Sequence, residues 1–150
     1  MLNDTRGMAM IAIGCDHGGY RLKKEIMAHL QAQGISCRDF GCDSTDPVDY
    51  PEYAKLVAHA VADGKCEKGI LICGTGIGVS ITANKVHGIR AALCADCFSA
   101  KATRQHNDAN IVTIGARVTG PGLALMIVDV FLSTPFSNED RHLRRIRQIE

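Results

Sequence analysis

Short apolar runs alternate with amphipathic segments along the chain, and this alternation constrains the fold more than any other feature of the sequence. Most of these runs are continuously apolar, which is typical of strands that are buried on both faces of a parallel sheet. The segments between the runs carry apolar side chains at helical spacing. The pattern predicts a Rossmann-like three-layer α/β/α sandwich with a five-stranded parallel sheet. The expected strands cover residues 8–15, 36–40, 69–73, 89–94 and 111–115.

A single domain is expected over residues 1–150, because no internal repeat and no linker rich in Pro, Gly or Ser divides the chain. Residues 1–7 are polar and predict a flexible N-terminal extension. Residues 138–150 predict a basic C-terminal helix with Asn138 as its N-cap. The start lacks the apolar stretch of a secretory signal, and no apolar run approaches the roughly 20 residues of a membrane span.

Charge and cysteine content argue against several classes of protein. Seventeen Lys and Arg against sixteen Asp and Glu give a formal net charge of +1, which disfavours a nucleic-acid or membrane-surface binder. Seven cysteines, an odd number in a chain without an export signal, are expected to be free thiols in a reducing cytoplasm. Cys94 and Cys97 have CxxC spacing, but no second ligand pair supports zinc, and no metal site is expected.

A glycine-rich turn lies between the third expected strand and the helix after it. Backbone N–H groups in such a turn, together with the positive end of the helix, suit a phosphate or an oxyanion that develops during a reaction. The turn is neither a Walker A loop nor a dinucleotide-binding fingerprint. A tight βα turn without a ligand is the alternative. The residues of the turn are Gly74, Thr75, Gly76, Ile77 and Gly78.

Cys73 comes immediately before this turn. A thiol at the start of a helix has its thiolate form favoured, so Cys73 is a candidate nucleophile or general base. A buried core cysteine at the end of a strand is the other interpretation.

Two further polar positions carry candidate proton-transfer groups. Asp16 and His17 follow the first strand, at the sheet edge where ligands bind in this fold class. There Asp can hold a hydroxyl and His can donate to a phosphate, unless Asp16 only caps the next helix. His106 lies in a polar segment before the fifth strand, where it could shuttle a proton near neutral pH or be a surface histidine without a role.

Arginines follow the fifth strand and fill the C-terminal helix. Arg117 falls at the same carboxyl edge of the sheet as Asp16. Arg141 and Arg145 are one helical turn apart and project from one face, which fits a phosphate clamp. A solvated basic face is the alternative.

Seven motifs together resemble ribose-5-phosphate isomerase type B, a family that also includes galactose-6-phosphate isomerase subunits and allose-6-phosphate isomerases. The resemblance runs from about Met10 to the C-terminal helix, with the motifs in the family's order. The motifs are Gly14-Cys-Asp-His-Gly18, Asp49-Tyr-Pro51, Ile72-Cys-Gly-Thr-Gly-Ile-Gly78, Ala83-Asn-Lys85, Gly88-Ile-Arg90, Arg104-Gln-His-Asn-Asp108 and Gly115-Ala-Arg117.

The resemblance implies aldose–ketose isomerisation of ribose 5-phosphate and ribulose 5-phosphate through an enediolate, in the pentose phosphate pathway, without a metal or cofactor. Cys73 matches the general base, the amides of residues 74–78 match the enediolate-binding loop, and His106 matches the residue that assists ring opening. On the same resemblance, Thr75 and Asp16 are also expected to be catalytic residues. Asp16, His17 and Asn107 match sugar-binding positions, and Arg117, Arg141 and Arg145 match phosphate ligands.

The polar start, the charge balance and the unpaired cysteines predict a cytoplasmic protein with no nucleic-acid or membrane partner. The resemblance also implies a homodimer whose active sites are completed by the neighbouring subunit. One chain carries the base, the histidine and the arginines, which favours a homo-oligomer over the two-polypeptide arrangement of the galactose-6-phosphate branch. The sequence leaves open whether the substrate has five or six carbons and whether dimers pair into tetramers. A non-catalytic phosphate- or nucleotide-binding module and a thiol-redox protein are the rival functions.

Overall fold

A computed structural model describes residues 9–150; the expected extension over residues 1–7 lies outside them. Within the described residues, five strands form one parallel sheet in the order β2-β1-β3-β5-β4. The parallel sheet predicted from the continuous apolar runs is therefore confirmed. The strands are β1 (Ile11–Cys15), β2 (Cys37–Asp39), β3 (Lys68–Cys73), β4 (Ala91–Leu93) and β5 (Ile111–Gly115).

Helices cover both faces of the sheet and give the three layers that the sequence predicts. Ile26 of α1 and Phe131 of α5 pack on one face, against Ile70 of β3. On the other face, Val57 of α2 and Val79 of α3 belong to a second core cluster. The helices are α1 (Tyr20–Ala32), α2 (Tyr50–Ala62), α3 (Ile77–Ala83), α4 (Cys97–Asn107), α5 (Pro121–Ser133) and α6 (Asp140–Ile149). No helix within residues 9–150 is long and apolar enough to cross a membrane.

The expected N-cap of the last helix is wrong. Asn138 has a left-handed backbone (φ 58°), and its side-chain amide donates to the carbonyl oxygen of Phe136 at 3.3 Å. Glu139 occupies the cap position instead, with no side-chain capping bond, and α6 begins at Asp140. Asn tolerates the left-handed conformation better than most residues, but an N-cap residue has an extended backbone, so Asn138 does not start the helix.

The three central strands end side by side, which brings their following loops together. Cys73 of β3 pairs with Gly115 of β5, and Ile72 pairs with Cys15 of β1. The backbone of Thr75 lies so close to Gly115 that a Cβ atom there would meet it at 2.5 Å. The loops after β1, β3 and β5 therefore share one edge of the sheet, as expected for a ligand site in this fold.

A buried lysine anchors the loop that leads to α2. Lys23 is 1% exposed, and its ammonium donates to the carbonyl oxygen of Cys42 at 2.6 Å and to Asp39 at 2.9 Å. Burying an ammonium is costly unless it is paired and hydrogen-bonded, and these partners supply both. The loop anchored in this way delivers Val48 and Tyr50 to the carboxyl edge.

Candidate active site

Cys73 ends β3 with its thiol buried beneath the glycine-rich loop. The backbone N–H of Gly76 donates to its Sγ atom at 3.1 Å, which requires the left-handed backbone of Gly76 (φ 77°). A Cβ atom at this position would clash with Leu93 at 2.6 Å, so glycine is needed for space as well as for conformation. A sulfur that receives an N–H hydrogen bond is suited to carry negative charge, as a thiolate base must.

Two of the five backbone amides in loop 74–78 are used in hydrogen bonds within the loop. Besides the Gly76 amide, the Ile77 amide is used internally, because it donates to Thr75 Oγ1 at 3.2 Å. Among the described residues, the amides of Gly74, Thr75 and Gly78 have no acceptor. The sequence predicts that all five amides of the loop bind an oxyanion, but only these three are available to a ligand. The loop is held from below by Thr113, whose hydroxyl donates to the carbonyl oxygen of Gly76 at 2.8 Å.

Asp16 caps the short 3-10 turn that precedes α1, as the alternative interpretation held. Its Oδ1 atom accepts from the amides of Gly18 at 2.9 Å and Gly19 at 3.3 Å. Its Oδ2 atom has no hydrogen-bond partner within residues 9–150. The carboxylate is thus fixed by one oxygen and can accept from a ligand hydroxyl with the other.

His17 is oriented by the anchored loop before α2. The Val48 amide donates to its Nδ1 atom at 3.1 Å. A nitrogen that accepts a hydrogen bond carries no proton, so the neutral ring holds its proton on Nε2. His17 can therefore donate an N–H to an anionic ligand at the carboxyl edge.

Two more side chains complete this edge. The Arg117 guanidinium lies against Gly74, where an added Cβ would meet it at 3.4 Å. The ring of Tyr50 lies over Gly78, and an added Cβ there would approach it to 2.6 Å. Tyr50 has no role in the sequence-based predictions, and its place in the motif Asp49-Tyr-Pro51 is the signal that could have revealed it. We call Asp16, His17, Tyr50, Cys73, loop 74–78 and Arg117 the carboxyl-edge group.

His106 and Asn107 lie at the opposite edge of the sheet. They end α4, and the carbonyl oxygen of Asn110 just beyond them accepts from the Gly69 amide near the start of β3. Gly69 is four residues from Cys73, or about 13 Å along a strand. One chain therefore does not bring His106 to Cys73. The sequence could have predicted this separation, because a helix that connects two parallel strands runs back to the amino edge of the sheet.

Two arginines fix the end of α4 at this amino edge. Arg90 donates to the carbonyl oxygens of Asn107 at 2.8 Å and Asp108 at 3.0 Å. Arg104 is buried and bonds the Asp108 carboxylate at 2.8 Å and the carbonyl oxygen of Thr134 at 3.1 Å. Both arginines belong to the motifs of the resemblance, but sequence reasoning assigned them no role.

Helix α6 packs beside α4 and adds the basic residues to the same edge. Arg141 and Arg145 are exposed, and Arg141 donates to Glu139 at 2.7 Å. His142 between them is buried, and its ring stacks on that of His106 with 4.6 Å between centroids. We call His106, Asn107, Arg141 and Arg145 the amino-edge group. The predicted site residues thus fall into two groups, at opposite edges of one sheet.

The environment of Cys94, the first cysteine of the CxxC pair, does not favour redox chemistry. Burial raises the pKa of the Cys94 thiol to about 11, and Asp96 adds to this effect. A thiol with so high a pKa is protonated and unreactive at neutral pH, which argues against the thiol-redox alternative. All seven cysteines lie in the described part of the chain and are free. Residues 9–150 contain no group of three or more His, Cys, Asp or Glu side chains that could hold a metal ion.

Comparison with known proteins decides the family. The model of the ribose/galactose isomerase family matches residues 11–149 of this chain. The chain belongs to this family. Ribose-5-phosphate isomerase B of Escherichia coli is 51% identical to this chain over 142 residues, which are 95% of both chains. D-erythrulose-4-phosphate isomerase of Pectobacterium atrosepticum is 47% identical over 131 residues, which are 86% of both chains.

The solved structures agree with the ribose/galactose isomerase assignment. Ribose-5-phosphate isomerase B of Clostridium thermocellum superposes with a TM-score of 0.92 at 51% identity, covering 93% of this chain and 94% of the other. The resemblance found in the sequence and the Rossmann-like fold are both confirmed, and the chain is an isomerase of this family. The alternative of a non-catalytic binding module has no support among these relatives.

Proposed function

We propose that this chain interconverts ribose 5-phosphate and ribulose 5-phosphate in the cytoplasm, as a step of the pentose phosphate pathway. The observation that carries the proposal is the pairing of a buried sulfur with a set of free amides. Cys73 Sγ receives the Gly76 N–H at 3.1 Å, and the amides of Gly74, Thr75 and Gly78 lie beside it without acceptors. A base next to an oxyanion site is what isomerisation through an enediolate requires.

The reaction follows from this arrangement. The Cys73 thiolate removes the proton from C2 of the open-chain aldose, and the electron pair of that bond forms the C1–C2 double bond. The negative charge that develops on O1 is stabilised by the free amides of the loop. Cys73 then returns its proton to C1, and the proton on O2 is transferred to O1, which leaves a carbonyl at C2 and a hydroxyl at C1. One sulfur carries the proton in both directions, so no net oxidant is needed.

The ring-closed form of ribose 5-phosphate needs an additional proton transfer. Its ring oxygen must gain a proton and its anomeric hydroxyl must lose one before C2 can react. His106 is the group proposed for this transfer, since imidazole exchanges protons near neutral pH. Because His106 lies at the amino edge of its own chain, it must act in the site of a second copy.

A two-fold symmetric dimer meets this requirement. In such a dimer the amino-edge group of each subunit faces the carboxyl-edge group of the other, which makes two equivalent sites. Large apolar side chains are exposed near the carboxyl edge, notably Ile77, Ile81 and Leu93, and Phe98 is 82% exposed. Apolar groups of this size on a monomer surface are typical of a covered interface. They support a homodimer with shared sites.

The phosphate is held from both sides in this arrangement. Arg117 and the Nε2–H of His17 reach it from the carboxyl-edge group, while Arg141 and Arg145 of the partner subunit close on it. The guanidinium fork matches phosphate oxygens.

Arg145→Ala is expected to raise KM for ribose 5-phosphate about ten- to a hundredfold, because a hydrogen bond to a charged group contributes roughly 1.5–3 kcal/mol. The melting temperature should hardly change, since Arg145 is exposed. Arg147→Ala is the matched control, because Arg147 is an exposed arginine of the same helix on a different face. An unchanged KM in Arg145→Ala would make α6 only a solvated basic face.

A panel of sugar phosphates tests the proposed substrate. We expect the highest kcat/KM for ribose 5-phosphate, measured by coupled assay against allose 6-phosphate and galactose 6-phosphate. A tenfold higher value for either six-carbon substrate would replace the pentose assignment. Absence of turnover with all three would refute the isomerase proposal in this form.

A further inference from the structure

The stacked histidine pair at the amino edge is unexplained by the proposed chemistry so far. The rings of His106 and His142 lie 4.6 Å apart with an interplanar angle of 17°. His106 is exposed, whereas His142 is 5% exposed. The Nε2 atom of His142 is fully buried and has no hydrogen-bond partner among the described residues. An unpaired buried polar atom costs free energy, so an apolar residue would stabilise the fold better at this position.

We propose that His142 is a positioning residue for ring opening: its buried ring is the flat platform that sets the orientation of the His106 imidazole. This role rests on the function proposed above for His106. The proposed role uses the flat face of the His142 ring and does not use its nitrogen atoms.

The geometry explains why a platform is useful at this position. His106 is the penultimate residue of α4, and among residues 9–150 neither of its ring nitrogens has a hydrogen-bond partner. A catalytic histidine is commonly oriented by a hydrogen bond to one nitrogen, which leaves only the other for chemistry. Contact through the ring face restrains His106 and leaves both nitrogens free. Ring opening uses both, since one oxygen loses a proton and another gains one.

The charge state of the platform also suits this role. Burial lowers the pKa of His142, and the nearby Arg141 and His106 lower it further, with Arg145 acting in the same direction and Glu139 opposing. The neutral form of the His142 ring is therefore favoured. A neutral ring does not repel the protonated form of His106 that donates to the ring oxygen.

Two substitutions separate the flat ring from mere burial. His142→Phe keeps a planar ring, whereas His142→Leu fills similar space without one. We expect His142→Leu to lower kcat with ribose 5-phosphate about ten- to a hundredfold, as misplacement of a catalytic group does. His142→Phe should stay within about threefold of the unchanged protein, as rescue by a planar side chain.

Turnover in the reverse direction distinguishes the proposed role from a structural defect, because a structural defect would lower turnover in both directions. Ribulose 5-phosphate cannot close a five-membered ring, because its O5 is esterified, and open-chain ribose 5-phosphate can close its ring after release. Turnover of ribulose 5-phosphate should therefore fall little in His142→Leu, as in the reference variant His106→Asn. Equal losses in both directions, an unaffected His142→Leu, or a His142→Phe as impaired as His142→Leu would each overturn the proposal.

A spectroscopic measurement does not depend on the proposed function. A ring stacked on His142 should show its carbon-bound proton resonances shifted upfield by the neighbouring ring current, with His106→Asn used for assignment. The shift should persist in His142→Phe and vanish in His142→Leu. Unshifted His106 resonances in the unchanged protein would remove the platform. Upfield-shifted His106 resonances in a protein that does not convert ribose 5-phosphate would instead refute the proposed isomerase function, and the stacking of the two rings would still stand.

Discussion

Cys73→Ser is expected to lower kcat with ribose 5-phosphate by about two to four orders of magnitude, the usual contribution of a general base. A serine hydroxyl is far less acidic than a thiol, so the Gly76 N–H that stabilises negative charge on sulfur cannot produce an alkoxide at neutral pH. KM should change much less, because the phosphate and hydroxyl contacts come from other residues.

Cys94→Ser is the matched control for this substitution, because Cys94 also lies at the carboxyl end of a strand, directly after β4, and is 1% exposed. It should retain most of the activity, measured as kcat and KM under identical conditions. Alkylation of Cys73 by iodoacetamide should inactivate the enzyme and be slowed by saturating ribose 5-phosphate. A Cys73→Ser protein with near-normal kcat would exclude the sulfur as the base.

Mixed dimers of Cys73→Ser and His106→Asn are expected to recover activity that neither variant has alone. Cys73 and His106 lie at opposite edges of one sheet, about 13 Å or more apart along the strands. In a mixed dimer, one site therefore combines an intact carboxyl-edge group with an intact amino-edge group. Random pairing makes half of the dimers mixed with one good site of two, so the mixture should reach about 25% of full activity.

The experiment requires subunit exchange by joint refolding or co-expression with two affinity tags. Ribose 5-phosphate is the substrate, because the ring-opening defect of His106→Asn shows only there. The control mixture is Cys73→Ser with His17→Ala, both changed in the carboxyl-edge group, and it should gain nothing over the separate proteins. No recovery in the first mixture, with exchange verified by the tags, would mean that each site is built from one chain.

The layered fold and the carboxyl edge of the site were accessible from the sequence for local reasons. Continuous apolar runs indicate burial on both faces of a strand, as in the central strands β1, β3 and β5. The edge strands β2 and β4 are partly exposed, but all five strands appear in the expected order. Parallel strands place their following loops at one edge, so Asp16, Cys73 and Arg117 could be grouped before any coordinates. The expected cap at Asn138 was wrong because this residue has a left-handed backbone, whereas an N-cap residue needs an extended one.

The roles of residues that depend on partners distant in the sequence could not be predicted from the sequence. Arg104 reads as an ordinary helix-surface arginine, yet it is buried and joins Asp108 to Thr134. Tyr50 gains its place only because the loop before α2 folds over Gly78. These contacts join segments far apart in the sequence, and no local periodicity encodes them.

By itself, the sequence determined the parallel α/β/α fold and the position of Cys73 directly before a glycine-rich turn, because burial patterns and short motifs act within a few residues. Only the tertiary structure decided the strand order β2-β1-β3-β5-β4 and the stacking of His142 beneath His106. It also decided which residues one chain can bring together: Cys73 with Arg117, but not with His106. The physical reason is that strand order and helix packing are set by the competition of all buried surfaces for one another, which no segment of the chain specifies alone.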